Sequence, residues 1–176
     1  ISTMLQSFVA MGLISVLWVV VGFSLAFGKS MYGIIGDPRT YFFFHGVEGA
    51  IDSRFAGTIP LSLFALFQLK FAIITPALIT GAFAERVRFS SYLIFMTLFS
   101  LFIYAPLAHM TFYPELILIS LGVLDFAGGT VVHMSAGFAA LAAAIFLGQR
   151  KIHKEKIQTS PANIPYVLLG TGMLWF

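Results

Sequence analysis

Cysteine is absent from this chain of 176 residues, so it contains neither a disulfide nor a thiolate metal site. Charge is scarce as well: charged residues make up 10% of the sequence, against about 25% in an ordinary soluble domain. The formal net charge is +3, but the ten Lys and Arg residues are scattered or confined to short loops and form no basic face. A nucleic-acid partner is therefore excluded, because it needs a concentrated basic surface.

Apolar residues make up 59% of the sequence, and the mean hydropathy is +0.96. A soluble core could not hide this much apolar surface, so a lipid bilayer is the expected solvent. Five apolar segments, called spans A to E, cover residues 3–27, 58–84, 90–112, 126–148 and 164–176. Spans A to D have the roughly 20 residues that a membrane-crossing helix needs, whereas span E is too short to cross alone. We expect an all-α, polytopic membrane helix bundle, because lipid cannot satisfy the edges of open strands.

The loop charges predict how the chain is oriented in the membrane. Arg86 and Arg88 lie between spans B and C, and more basic residues lie between spans D and E: Arg150, Lys151, Lys154 and Lys156. The loop between spans C and D carries only Glu115. Because basic loops favour the cytoplasmic side, we expect the B–C and D–E loops in the cytoplasm. Asp125 then opens span D from the outer side.

Span D contains a titratable side chain, His133, eight residues after Asp125. If the residues between them are helical, the imidazole lies roughly 12 Å along the axis from the aspartate. That depth is inside the hydrocarbon zone, where such groups are costly and usually functional. A single histidine can equally be a packing residue, and Ala136 and Gly137 favour close helix packing. No His or carboxylate follows three or four residues after His133, so we expect no metal site on this helix.

Asp125 has a structural and an electrostatic interpretation. A carboxylate at a helix start accepts hydrogen bonds from the free N–H groups of the first turn and suits the positive end of the helix dipole. Its negative field also favours a cation at the outer mouth. Gly128 and Gly129 would let another backbone or a substrate come close. In span C, we expect His109 to be a structural interface residue.

Span B carries an apolar stripe at helical spacing, formed by Phe67, Phe71, Ile74 and Leu78. The pattern alone favours a face that contacts lipid or another helix. Lys70 lies near the middle of the same span, about 60° of rotation from the stripe. It is too far from either end to snorkel easily. It must therefore face protein or water, and we expect it to meet an acceptor outside this sequence.

Five segments resemble the ammonium transporters of the Amt/MEP/Rh family, in order along nearly the whole chain. They are Val16–Gly28, Phe71–Phe89, Pro106–Met110, Asp125–Met134 and Gly170–Trp175, which resemble parts of that family's second to sixth spans. The aspartate-to-histidine segment is the most specific of them. Because the chain also begins and ends inside apolar runs, we expect it to be a piece of a longer membrane protein.

The resemblance implies a fold of about eleven helices in two inverted halves, of which this chain holds most of the first half. It also implies a homotrimer with one pore in each subunit. By the same resemblance, His133 matches the first of two pore histidines, and Phe71 the first of two stacked phenylalanines that close the outer vestibule. Phe67 matches a vestibule residue, Ile74 and Leu78 match pore-wall residues, and Asp125 matches a structural aspartate below the external recruitment site.

Two residues depart from the family pattern. Phe112 stands where many members have a tryptophan at the external cation site, so we predict weaker recruitment of ammonium. Lys70 stands beside Phe71, where a small or apolar residue is commoner. A cationic side chain in the pore would repel ammonium, so we predict that Lys70 faces away from it.

The resemblance implies that ammonium is recruited and deprotonated at an outer vestibule and that ammonia passes a hydrophobic pore lined by His133. The alternative is an ammonium sensor on the same scaffold, coupled to a signalling domain, which the departures at Phe112 and Lys70 favour slightly. An enzyme is disfavoured, because the spans hold no cluster of nucleophiles or carboxylates. We expect no cofactor, a multi-pass location in the plasma or inner membrane, and compatibility with a cytoplasmic PII-type regulator.

Overall fold

Helices dominate the structure, a computed structural model that describes residues 2–114, 116–157, 160 and 163–175. In chain order they are α1 (Ser2–Leu17), α2 (Phe23–Phe27), α3 (Leu61–Phe83), α4 (Phe89–Phe99), α5 (Ala105–Phe112), α6 (Ile117–Ser120), α7 (Ser135–Leu147), α8 (Lys151–Lys154) and α9 (Ile164–Trp175). Three π-helical segments join or extend them: Trp18–Gly22, Ser100–Tyr104 and Gly129–Met134. Glu115 and Phe176 lie outside the described residues.

Four continuous helical stretches are long and apolar enough to cross a membrane: Met4–Phe27, Leu61–Phe83, Phe89–Phe112 and Gly129–Leu147. The first and third each consist of two α-helices joined by a π-helical segment. Helices are the expected solution for such apolar runs, because they satisfy their own backbone hydrogen bonds. The predicted class, a polytopic membrane helix bundle, is confirmed. α9 is a shorter apolar helix whose described side chains are all exposed.

The bundle is built around α3, which packs against both α1 and α7, while α2 packs against α5. Aromatic rings fill the contacts: Trp18 is 1% exposed, lies edge-on to Tyr104 at 6.3 Å between ring centroids, and donates from Nε1 to the Ala65 carbonyl at 3.0 Å. At the other end, the Tyr92 hydroxyl donates to the Gln6 carbonyl at 2.9 Å. In lipid, close packing and such interhelical hydrogen bonds hold helices together.

The strands that the structure describes are short and lie in the connection between α2 and α3. β1 (Ser30–Met31) pairs antiparallel with β2 (Ile35–Gly36). Farther along, Arg54 forms an ion pair with Asp52 at 2.6 Å and donates from Nη1 to the Tyr113 hydroxyl at 3.2 Å. The hydrogen bond from Arg54 lowers the pKa of the Asp52 carboxyl. The hydrogen bond from Arg54 to Tyr113 attaches the connection to the end of α5.

At the opposite end of the bundle, two arginines cross between α3 and α7. Arg86 donates from Nη1 to the Gly148 carbonyl, which follows α7. In return, Arg150 donates from Nη2 to the Gly81 carbonyl of α3 at 2.7 Å. Cationic donors are well placed at helix C-termini, where carbonyl groups lack helical partners and the helix dipole is negative. These two hydrogen bonds fix the spacing of α3 and α7 at this end of the bundle.

Candidate functional site

The Asp125 carboxylate organises the turn that leads into the last membrane-length helix. It accepts hydrogen bonds from the N–H groups of Gly129 at 2.8 Å, Thr130 at 2.9 Å and Val131 at 3.0 Å. These are the hydrogen bonds expected of a carboxylate near a helix start, although the helical segment begins at Gly129 and not directly after the aspartate. Asp125 therefore reaches over an intervening turn to satisfy the N–H groups that a helix start leaves free.

Gly128 makes this turn possible. Its φ is +81°, in the left-handed region, and a Cβ there would lie 2.6 Å from Cγ2 of Val132. A side chain at Gly129 would meet no atom within 4 Å. Among the described residues, the close approach at these two glycines is that of Val132 in the same turn to Gly128, and not that of another segment's backbone. At Gly137 an added Cβ also meets nothing within 4 Å, so the close packing expected there does not occur with the described chain.

The helical spacing expected between Asp125 and His133 is interrupted. Residues 125–128 are not helical, so His133 lies four residues into the π-helical segment Gly129–Met134. The π-helical turn arises where both Val132 and His133 donate their N–H groups to the Gly128 carbonyl, at 2.8 and 2.9 Å. π-helical turns within helices often occur at functional sites.

A small cavity lies beside this turn, between α3, the end of α5 and the residues after Asp125. Its volume is about 50 Å³, and its lining residues are Phe67, Gln68, Phe71, Phe112, Phe126, Ala127, Gly128 and Val132. The rings of Phe67 and Phe71 meet edge to face, with centroids 5.0 Å apart and an interplanar angle of 76°. A space of this size holds one or two molecules as large as water. Three predicted site residues, Phe67, Phe71 and Phe112, therefore meet in one cavity.

Gln68 is a lining residue that the sequence analysis missed. It is 9% exposed, and its side-chain amide makes no hydrogen bond with the described residues. The other lining side chains are aromatic, aliphatic or absent, so they bring no polar atom to the cavity. The sequence feature that could have identified Gln68 is its amide side chain, directly after Phe67 within an apolar span.

The other predicted site residues lie outside this cavity. Ile74 and Leu78 of α3 are 37% and 46% exposed. His133 is exposed on the π-helical segment, next to the buried Val132. Lys70 is exposed too and makes no ion pair or hydrogen bond with the described part of the chain. These four side chains lie on surface that the described residues leave uncovered.

His109 has the structural role that was predicted for it. The ring is 0% exposed, with Nδ1 2.9 Å from the Ala26 carbonyl oxygen and Nε2 3.0 Å from the Ser30 hydroxyl oxygen. A carbonyl can only accept, so Nδ1 carries the proton and donates. In the neutral ring Nε2 then accepts from Ser30. His109 joins α5 to α2 and β1 and does not reach the cavity.

A larger groove of about 680 Å³ lies at the opposite end, against α4 and α7. Its lining is mostly aromatic and alanine side chains, with Arg86 and Arg88 at one end. We assign the candidate site to the smaller cavity, because only there do the predicted phenylalanines meet beside the Asp125 turn. Within the described ranges, no three or more His, Cys, Asp or Glu side chains are grouped so as to hold a metal ion.

The fold defines a multi-pass membrane protein with an aromatic-lined cavity between its helices. A family model described as Ammonium Transporter Family matches residues 1–176, and the chain belongs to that family. The family is one of transporters rather than enzymes, as predicted.

Named relatives and solved structures agree with this assignment. An "Ammonium transporter" of Mycobacterium tuberculosis (strain ATCC 25618 / H37Rv) is 40% identical over 197 residues, covering 100% of this chain and 41% of that protein. A "Putative ammonium transporter" of Methanothermobacter thermautotrophicus is 43% identical, with coverage of 100% and 42%. The chain thus spans about two fifths of the length of the curated relatives it matches.

Among solved structures, the delta442 mutant of Candida albicans Mep2 superposes with a TM-score of 0.84 at 34% identity, covering 100% of this chain and 41% of that one. A structure named "Sensor Amt Protein" superposes with a TM-score of 0.77 at 33% identity, covering 97% and 43%. The fold predicted from the resemblance is therefore confirmed over the length of the chain.

Proposed function

We propose that the protein containing this chain carries ammonium or ammonia across a cell membrane, and that the cavity at the Asp125 end is where the ammonium ion first binds. The observation that carries the proposal is the meeting of Phe67, Phe71 and Phe112 around one space of about 50 Å³. Aromatic faces attract a cation through their quadrupoles, most strongly once the ion has shed part of its water. The space is the right size for an ammonium ion and too small for a hydrated one.

The same geometry supports a division between binding the ion and passing the neutral molecule. A naked charge is expensive in an apolar bore, so ammonium gives up its proton near Phe71 and ammonia continues. The proton crosses separately by way of the His133 imidazole, which accepts a proton at one ring nitrogen and releases one from the other, so net charge still moves. His133 then provides one donor and one acceptor in its neutral form. Ile74 and Leu78 form the apolar wall on the side of α3 that carries Phe71. Asp125 holds the turn that forms one wall of the cavity, because its carboxylate oxygens are occupied by three N–H groups.

Two departures from the family pattern modify this function. Phe112 keeps an aromatic face in the cavity but lacks the larger area and the N–H of a tryptophan, so recruitment is weaker. Lys70 lies outside the cavity lining. It faces away from the path of the ion and meets an acceptor on a part of the protein beyond these residues.

Sensing is the second candidate function. The similarity to a structure named "Sensor Amt Protein" favours it, as does a lysine next to Phe71. A sensor would bind ammonium in the same cavity without moving it. The homotrimer, the PII-type regulator and the plasma or inner membrane location stay predictions from the resemblance.

Ammonium-evoked current in liposomes that contain the full-length protein separates these functions. Transport predicts a saturable current, whereas a sensor predicts ammonium binding with no current. Phe67→Ala should raise the half-saturating ammonium concentration about two- to thirty-fold, the range expected for one lost cation–π contact. Phe102→Ala is the matched control, because Phe102 is 69% exposed and lies away from the cavity. Equal effects of the two variants, or neither current nor binding, would contradict the proposal.

A further inference from the structure

The cavity contains one feature that attraction by aromatic rings does not use, the amide of Gln68. Glutamine is seldom buried without a partner, because an unpaired buried polar group loses its hydrogen bonds to water. Gln68 is 9% exposed and makes no hydrogen bond with the described residues. In the described chain, two side-chain polar atoms are completely enclosed and lack a hydrogen-bond partner, Gln6 Oε1 and Arg86 Nε. The amide atoms of Gln68 are not among them. The Gln68 amide therefore retains accessible surface, and Gln68 is one of the residues that line the cavity.

The chemistry of the remaining walls makes this amide the sole directional side-chain group in the lining. Phenylalanine, alanine, glycine and valine side chains offer no hydrogen-bond acceptor. A ring face attracts any cation of suitable size but does not accept a strong, directed hydrogen bond. An ammonium ion that has shed water has N–H groups that need acceptors. An amide oxygen supplies one and adds no negative charge that would trap the ion.

We propose that Gln68 is an ammonium-binding residue, whose Oε1 accepts a hydrogen bond from the ion held between Phe67, Phe71 and Phe112. This inference rests on the proposed function for the identity of the ligand and deepens it. Gln68 sets the affinity of the cavity for the ion, while proton loss and the passage of ammonia take place beyond it. Its removal should therefore change the half-saturating concentration more than the maximal rate.

The test uses the full-length protein in liposomes, with Gln68→Met as the main variant, because methionine has similar length and no amide. A hydrogen bond to a charged group is lost, so the half-saturating ammonium concentration should rise about ten-fold or more. The maximal current should stay within about two-fold. Gln6→Met is the matched control: Gln6 is 5% exposed and has an unpaired amide oxygen, but it does not line the cavity. An unchanged half-saturating concentration in Gln68→Met, or an equal rise in Gln6→Met, would overturn the proposal.

Two further measurements keep the outcome decisive. If Gln68→Met does not fold, Gln68→Asn keeps the amide but withdraws it by one methylene, and its half-saturating concentration should still rise; no rise would refute the role. If the wild-type protein gives no current, transport is wrong, and ammonium titration calorimetry then tests Gln68 by itself. Binding weakened about ten-fold in Gln68→Met supports the residue's role, and unchanged binding refutes it.

Discussion

Replacing Asp125 with alanine should lower the free energy of unfolding by about 3 kcal/mol. The carboxylate accepts three backbone hydrogen bonds, of which that from Gly129 is exposed and those from Thr130 and Val131 are partly buried. The Gly129 N–H can bond to water in the variant. The other two N–H groups lose a charged acceptor, and each such bond contributes about 1.5 kcal/mol or more.

Asp125→Asn gives a graded comparison, because asparagine keeps one acceptor oxygen and loses the charge. We expect about half of the alanine effect, or roughly 1.5 kcal/mol. The assay is unfolding of the full-length protein in detergent micelles, titrated with a denaturing detergent. Asp37→Ala is the control, since the Asp37 carboxylate accepts one exposed hydrogen bond, from the Arg39 N–H at 2.9 Å, and the variant should lose no more than about 1 kcal/mol.

The stability of these variants also separates the two interpretations of Asp125. If Asp125→Ala unfolds no more easily than Asp37→Ala while ammonium flux collapses, the carboxylate acts through its field on the ion and the structural explanation is wrong. If stability and flux fall together and asparagine restores both in part, the aspartate acts by holding the turn that forms the cavity wall.

Three other changes have definite expected outcomes. Gly128→Ala should destabilise the protein by more than about 1 kcal/mol, because the φ of Gly128 is +81° and an added Cβ would clash. Gly129→Ala should not destabilise it, since an added Cβ there meets no atom within 4 Å. Unfolding of the two variants, compared side by side, checks this, and equal losses of stability would contradict it. Arg54 lowers the pKa of Asp52 below its ordinary value of 3.8, so the carboxylate's stabilising contribution is complete above that value and is lost as the pH falls through the lowered pKa. The unfolding midpoint should therefore vary less with pH in this acid range for Asp52→Asn than for the wild type, and an unchanged pH dependence would count against the ion pair. Lys70→Met should leave ammonium-evoked current unchanged within about two-fold, because the lysine faces away from the path of the ion. A sharp gain of current would place the lysine in the pore.

The apolar runs predicted the bundle well, because a bilayer leaves a chain of this composition few alternatives to helices. The stripe on span B placed Phe67 and Phe71 on one face of a helix, where their rings meet. Their place beside Phe112 was expected from the family resemblance and not from the stripe. The turn after Asp125 could not be predicted from hydrophobic periodicity. Gly128 has a positive φ, and the Asp125 carboxylate accepts hydrogen bonds from N–H groups four or more residues later, so the helix begins only at Gly129. His133 therefore lies closer to the helix start than its sequence spacing suggested.

Gln68 escaped the sequence analysis for a different reason. A glutamine beside an apolar stripe is unremarkable until the opposite wall is known, and that wall comes from residues 112 and 126–132, far along the chain. The Arg86 and Arg150 exchange escaped for the same reason, because both arginines were interpreted only as loop charges. Positions of this kind depend on which helices become neighbours, which a single sequence does not specify.

The central claim is that the cavity between Phe67, Phe71 and Phe112 opens into a passage that continues along α3 to His133. A cryo-electron microscopy structure of the full-length protein, at a resolution that orients side-chain rings, tests it directly. We predict that the His133 ring borders a narrow passage that is continuous with the cavity once Phe71 moves aside. A His133 ring that faces lipid, or that is separated from the cavity by packed side chains, would contradict the account.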